Sequence, residues 1–173
     1  MLNPSSPLQR LMDAPMRPGR IEWIGLRPRR HAPVTPCSHA ILDPVHGLVG
    51  DHYSSKTTGS RHVTLIEREQ LAAIASYLGR DEIAPDTVRR NIVISGLNLL
   101  ALKQKHFQLG TALLEMTAEC HPCSRMEETF GTAGYNALRG RGGITARVLR
   151  GGEIYLQDQL VIITNAHGIA SEA

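Results

Sequence analysis

Val88-Arg89-Arg90-Asn91-Ile92-Val93-Ile94-Ser95-Gly96 sets two guanidinium groups and an amide at the entrance to a short apolar run that Ser and Gly bring to a close. Three consecutive β-branched residues suit a pleated, buried surface, so residues 91–95 are expected to form a strand. Arginine forks match the geometry of phosphate oxygens, and an asparagine amide offers both a donor and an acceptor to the edge of a heterocycle. Taken alone, the stretch reads as an ordinary solvated charge pair at a strand start.

Similar runs lie on both sides of it. Ile21, Trp23, Ile24 and Leu26 roughly alternate with small or polar residues, and Val63 and Leu65 share one face of a run over 62–66. Apolar stretches at 112–117, 144–149 and 160–164 have strand length and end in Gly or polar turns. Between them Leu71, Ile74, Ala75 and Leu78 recur at helical spacing, with Gly79 as a stop, which predicts one amphipathic helix. With 16 glycines, 10 prolines and only 4% aromatic residues, the core must be aliphatic and the elements short. These features predict a mixed, β-rich, barrel-like fold. Residues 1–19, rich in proline and without an apolar period, are expected to form a flexible arm, 20–164 the domain and 165–173 a polar tail.

A chain of 173 residues can bury a substantial core. Its net charge of +3 falls short of a nucleic-acid footprint, and its apolar runs are too short to span a bilayer. Cys37, Cys120 and Cys123 are odd in number and follow no secretory leader. A reducing, cytoplasmic setting is therefore expected, with neither nucleic acid nor membrane as a partner.

Cys120-His121-Pro122-Cys123 falls between an apparent strand and a helix that can begin at Ser124, where Ser124 and Glu127 would make a capping box. That places Cys123 just ahead of a helix N-terminus, where unpaired N–H groups favour a thiolate. Three readings of the segment stay open. A thioredoxin-like pair should lie near a βαβ pattern, which is not expected here; a zinc site would need Cys37, His39 or His121 to complete it; Cys120 and Cys123 could also be plain thiols. Two further clusters carry polar chemistry. In Arg139-Gly140-Arg141-Gly142-Gly143 the glycines could turn N–H groups into an anion-binding concavity while Arg141 adds charge; a flexible turn is the alternative. In Gly47-Leu48-Val49-Gly50-Asp51-His52, Asp51 and His52 could do acid–base work, with a structural role for Asp51 ranked first.

In this order, Gly47 to His52, Arg89 to Gly96, Cys120 to Cys123 and Gly142-Gly143 resemble the MOSC family, named for the C-terminal domain of molybdenum cofactor sulfurases. The resemblance spans roughly residues 20–160 and rests on ordered co-occurrence. It implies a MOSC-type β-barrel with a few short peripheral helices that binds the molybdopterin-type molybdenum cofactor. By the same resemblance Cys123 is the molybdenum ligand and catalytic thiol, Arg89 and Asn91 hold the pterin and phosphate, and Arg27 and Arg61 face the phosphate. Arg141 and Gly142 join this cofactor-binding set. A soft thiolate suits molybdenum, and a phosphate needs positive charge.

Two functions follow from the resemblance. One is a molybdenum-dependent oxidoreductase that reduces small N-hydroxylated compounds with electrons from a separate donor protein. The other is a non-redox cofactor carrier or sulfur-transfer module in which Cys123 holds a persulfide. No lysine among Lys56, Lys103 and Lys105 sits in a recognisable pyridoxal-phosphate fold, so a complete sulfurase is not expected. The chain departs from the family pattern at Gln157-Asp158, where a Gly-Asp turn is common, and the N-terminal barrel of larger relatives is not expected in it.

Overall fold

The computed structural model describes residues 6–52 and 59–163. Its strands are β1 (Gly19–Leu26), β2 (Thr35–Cys37), β3 (His39–Asp43), β4 (Gly47–Leu48), β5 (Val63–Glu67), β6 (Ile92–Ser95), β7 (His106–Leu109), β8 (Ala112–Glu119), β9 (Ile144–Arg150), β10 (Gly152–Tyr155) and β11 (Gln159–Ile163). Helices α1 (Pro7–Met12), α2 (Arg68–Tyr77), α3 (Arg125–Phe130) and α4 (Gly134–Leu138), with a 3₁₀ turn at Leu99–Leu102, lie among them. The strand order β11-β7-β8-β9-β5-β6-β1 is closed by pairing of β1 with β11 into a seven-stranded barrel, which removes the sheet edges that would otherwise need protection. Strand β2 extends β1 outward, and β10-β3-β4 form a separate three-stranded sheet.

Period-two patterning sorts the side chains into two cores. Ile21, Ile24, Val63, Leu65, Ile92 and Ile94 fill the barrel interior. Ile66 and Val93 point the other way and pack with Leu71 and Ile74 of α2, Met126 and Phe130 of α3, and Leu138 of α4. Strand β1 reaches both cores through a register shift between Ile21 and Trp23 in its pairing with β6. This bulge turns Trp23 toward the outer core and returns Ile24 to the interior, which accounts for the imperfect alternation of that segment.

The structure corrects several expectations. Strands β5 and β6 pair in parallel, with α2 as their crossover, so the chain does contain a βαβ unit; the thiol segment lies outside it. Strands β2, β3, β4, β7 and β10 were not anticipated. Each buries at most two side chains, and Pro36 interrupts the pattern in β2, so periodicity over so few residues carries little signal. Within the expected arm, Ser6 caps α1 by accepting the Gln9 N–H at 3.1 Å, and Pro7 sits at the first helical position. The helix buries none of its side chains. Thr164 and the expected tail lie outside the described residues.

The capping box at Ser124 and Glu127 does not form, because the Ser124 side chain makes no cap hydrogen bond. The Glu127 carboxylate instead accepts the backbone N–H groups of Ala133 and Tyr135, both at 2.8 Å, and so holds the start of α4 rather than of α3. No helix among the described residues is long and apolar enough to cross a membrane.

Candidate functional site

Where the open ends of β1, β5 and β6 meet the segment between β8 and α3, a cleft of about 160 Å³ is lined by Arg27, Asp51, Arg61, Thr64, Arg89, Arg90, Asn91, Cys120, His121, Cys123, Arg125 and Met126. Residues distant in sequence meet there because the strand order places β1 and β5 on opposite sides of β6.

The adjacent guanidinium groups at the start of β6 divide their work. Arg89 adopts a left-handed backbone conformation (φ +58°), costly for a residue with a Cβ, and its Nη2 is buried with no hydrogen-bond partner among the described residues. Arg90 is fully engaged: Nε donates to Gly142 O at 2.7 Å, Nη1 to Val88 O at 3.1 Å and Nη2 to Cys120 O at 3.3 Å. Burial pulls the Arg90 pKa below its ordinary value, and Cys120 opposes that shift. Arg90 therefore acts as a strut between the thiol segment and the glycine turn, while Arg89 keeps a donor to offer.

Asn91 spends its side chain inside the protein. Oδ1 accepts Thr64 N at 3.2 Å and Thr64 Oγ1 at 2.9 Å, and Nδ2 donates to Gly25 O at 3.3 Å and Asp51 Oδ2 at 3.0 Å. Asp51 also accepts the Arg27 N–H at 3.0 Å, so it pins the end of β1, in keeping with the structural role expected for it. The Arg27 pKa is lowered first by burial and next by the like charge of Arg89; Asp51 opposes the shift, and Arg125 adds to it. At the rim, the His31 pKa is lowered chiefly by Arg125. A cleft whose cations repel one another in this way favours an anion.

The thiols take different roles. Cys123 is exposed, whereas Cys120 is buried and its Sγ accepts Arg61 Nη2 at 3.3 Å. From Cys120 to Cys123 the backbone makes no turn or bend. Both thiols are free, and the segment lies outside the βαβ unit that a thioredoxin-like pair would have nearby. Zinc fails as well. Among the described residues no three His, Cys, Asp or Glu side chains group to hold a metal ion, and Cys37 packs against the barrel core, where burial pushes its thiol pKa up.

Of the residues singled out in the sequence, Arg27, Arg61, Arg89, Asn91 and Cys123 meet around the cleft. Arg141 and Gly142 are not part of its lining. The Arg141 guanidinium donates to Gln70 Oε1 at 2.8 Å and lies 5.0 Å from the Tyr77 ring centre. A Cβ on Gly142 would fall 1.9 Å from Cys120 O, and one on Gly143, at φ +76°, 1.9 Å from Leu65 O. Gly142 and Gly143 thus serve close backbone packing that only glycine permits, beside a small cavity that Gly140, Arg141, Gly142 and Gly143 line with Cys120 and His121. Arg125 escaped the sequence reading, although its place two residues beyond Cys123 was the available signal.

The donor set suits the cofactor that the resemblance implies. Arg27, Arg89 and Arg125 would hold a phosphate, the partnerless Arg89 Nη2 supplies a donor for it, and Cys123 offers an exposed soft ligand.

Comparison with known proteins gives concordant results. The family model described as MOSC domain matches residues 44–161. No curated protein sequence matches the chain. The fold is similar to that of the YuaD protein from Bacillus subtilis, with a TM-score of 0.73 and 19% identity over 84% of this chain and 96% of that one. YiiM from Geobacillus stearothermophilus gives a TM-score of 0.70 and 18% identity over 87% and 78%. YiiM from Escherichia coli gives 0.66 and 17% over 86% and 72%.

Proposed function

Given that this chain belongs to the MOSC domain family, a family linked to molybdenum cofactor binding, we propose that its cleft holds that cofactor and that the protein reduces N-hydroxylated compounds. The observation that carries the reading is the buried Arg89 Nη2, without a hydrogen-bond partner among the described residues, in an arginine-lined cleft that also contains the exposed Cys123 thiol. Cys123 would ligate the metal. Arg27, Arg89 and Arg125 would bind the phosphate, and Asn91 would act indirectly, by fixing Asp51 and the end of β1. When bound, the cofactor supplies two-electron redox chemistry at a metal centre.

Overall, the substrate N–OH group gains two electrons and two protons and leaves as N–H plus water. The electrons would come from a separate donor protein in a reducing, cytoplasmic setting. Arg90 contributes by holding the Cys120 carbonyl and hence the path of the thiol segment.

The test is metal and pterin analysis of wild type, Cys123→Ala and Cys120→Ala expressed with cofactor supply, followed by turnover of an amidoxime with a chemical reductant. Loss of molybdenum in Cys123→Ala alone, with turnover by wild type, supports the reading. Equal molybdenum and pterin in wild type and Cys123→Ala rejects the ligand. Cofactor transfer to an acceptor enzyme without amidoxime turnover would replace the reductase by the carrier, in which the exposed thiol holds sulfur.

A further inference from the structure

His52 makes two contacts through one ring nitrogen. Its Nδ1 lies 3.2 Å from Arg27 Nε and 3.2 Å from Asp51 Oδ1. The surrounding frame is rigid: His52 N donates to Arg27 O at 2.7 Å, Arg27 N to Asp51 Oδ2 at 3.0 Å and Asn91 Nδ2 to the same oxygen at 3.0 Å. These bonds hold both the Arg27 backbone and the Asp51 carboxylate in place beside the ring. A ring nitrogen either carries a proton and donates or lacks one and accepts. The two contacts are therefore alternatives. With Nδ1 bare, the guanidinium of Arg27 donates to it. The neutral ring offers either arrangement, according to which nitrogen holds its proton, whereas the imidazolium always carries Nδ1–H and so pairs with Asp51 and repels Arg27.

The geometry points to His52 as a proton-dependent positioning residue for Arg27: neutral, it retains the guanidinium; protonated, it turns to Asp51 and releases Arg27 to an anion in the cleft. The proposal rests on the reading of the cleft as an anion site. Release toward an empty cleft is opposed by Arg89 and Arg125, the like charges that act on Arg27. A bound anion cancels that opposition. Proton uptake by His52 and anion binding therefore favour each other, and the coupling is reciprocal. The charged groups facing His52 among the described residues are Arg27 from β1 and Asp51 from its own segment, with Arg89 and Arg125 beyond Arg27. The His52 side chain is 22% exposed, so protons reach it from solvent.

Inorganic sulfate is a suitable probe because it stays doubly charged between about pH 5 and 8. Isothermal calorimetry of cofactor-free protein should show sulfate affinity rising about five-fold from the upper to the lower end of that range. Runs in two buffers of different ionisation enthalpy should show proton uptake on binding. His52→Gln, which can accept from Arg27 but cannot take up a proton, should lose most of the rise in affinity and most of the proton uptake. Arg27→Gln should flatten the profile too, because His52 acts through Arg27. His46→Gln and His106→Gln, which change imidazoles outside the cleft lining, should keep the slope. Circular dichroism and thermal melts confirm folding, and His52→Asn serves if His52→Gln unfolds.

A wild-type slope retained in His52→Gln, or one that survives Arg27→Gln, overturns the proposal. So does a slope lost in His46→Gln or His106→Gln. Absence of saturable sulfate binding at any pH removes the anion site itself. Failure of the cofactor reading shows separately, as absence of molybdenum and pterin from protein expressed with cofactor supply.

Discussion

Replacing Arg90 by methionine removes three charge-assisted hydrogen bonds at 2.7, 3.1 and 3.3 Å and leaves the carbonyls of Gly142, Val88 and Cys120 without that donor. Bonds to a charged donor contribute about 1.5 kcal/mol or more each, so the loss is about 4.5 kcal/mol. Relief of a buried charge and the apolar contacts of methionine return roughly 1–2 kcal/mol, leaving a net destabilisation of about 3 kcal/mol. In urea, with an m-value of about 2 kcal/mol/M, the midpoint should fall by about 1.5 M. The companion Arg90→Lys, which keeps the charge but not the fork, should fall between the two. Because Cys120 O is one of the three acceptors, labelling of the buried Cys120 thiol by an aromatic disulfide reagent should quicken in Arg90→Met before global unfolding. A midpoint lowered by less than about 0.3 M would refute the strut, since each bond would then contribute far less than a charged donor should.

Gly143→Ala combines a φ of +76° with a Cβ 1.9 Å from Leu65 O. A cost above about 3 kcal/mol, seen as a Tm lowered by roughly 6–12 °C, is expected, and a drop below about 2 °C would refute the close approach. Burial raises the Glu67 pKa, so the stabilisation tied to its proton is complete below the unfolded carboxyl pKa of about 4.3 and is lost as pH rises through the higher folded value. Glu67→Gln, which keeps an acceptor for Leu99 N–H, should therefore raise the Tm at neutral pH, and the gain should vanish in acid. A gain that does not depend on pH would contradict this assignment. Titration of native protein with the thiol reagent should label Cys123 rapidly, whereas Cys120 and Cys37 should react fully only on unfolding; mass spectrometry of the labelled peptides decides it.

Local pattern and residue chemistry carried much of this protein into view. The β-branched run at Ile92 to Ile94, the helical spacing of Leu71, Ile74 and Ala75, and the pairing of Val63 with Leu65 each report a burial face, because one side of a strand or helix must leave water. The family resemblance singled out Cys123 and Arg89, and both line the cleft. Tertiary structure decided how neighbouring, chemically alike residues were used. Arg89 and Arg90 are the same amino acid in adjacent positions, yet a left-handed φ at the first and three carbonyls around the second make one a free donor and the other a strut. Asn91 was drawn inward by Thr64 and Asp51, and Gly142 and Gly143 were claimed by backbones from β5 and the thiol segment. Those partners lie tens of residues away. Which of them arrives is settled by barrel closure and strand register, long-range pairings that leave no periodic trace in the chain.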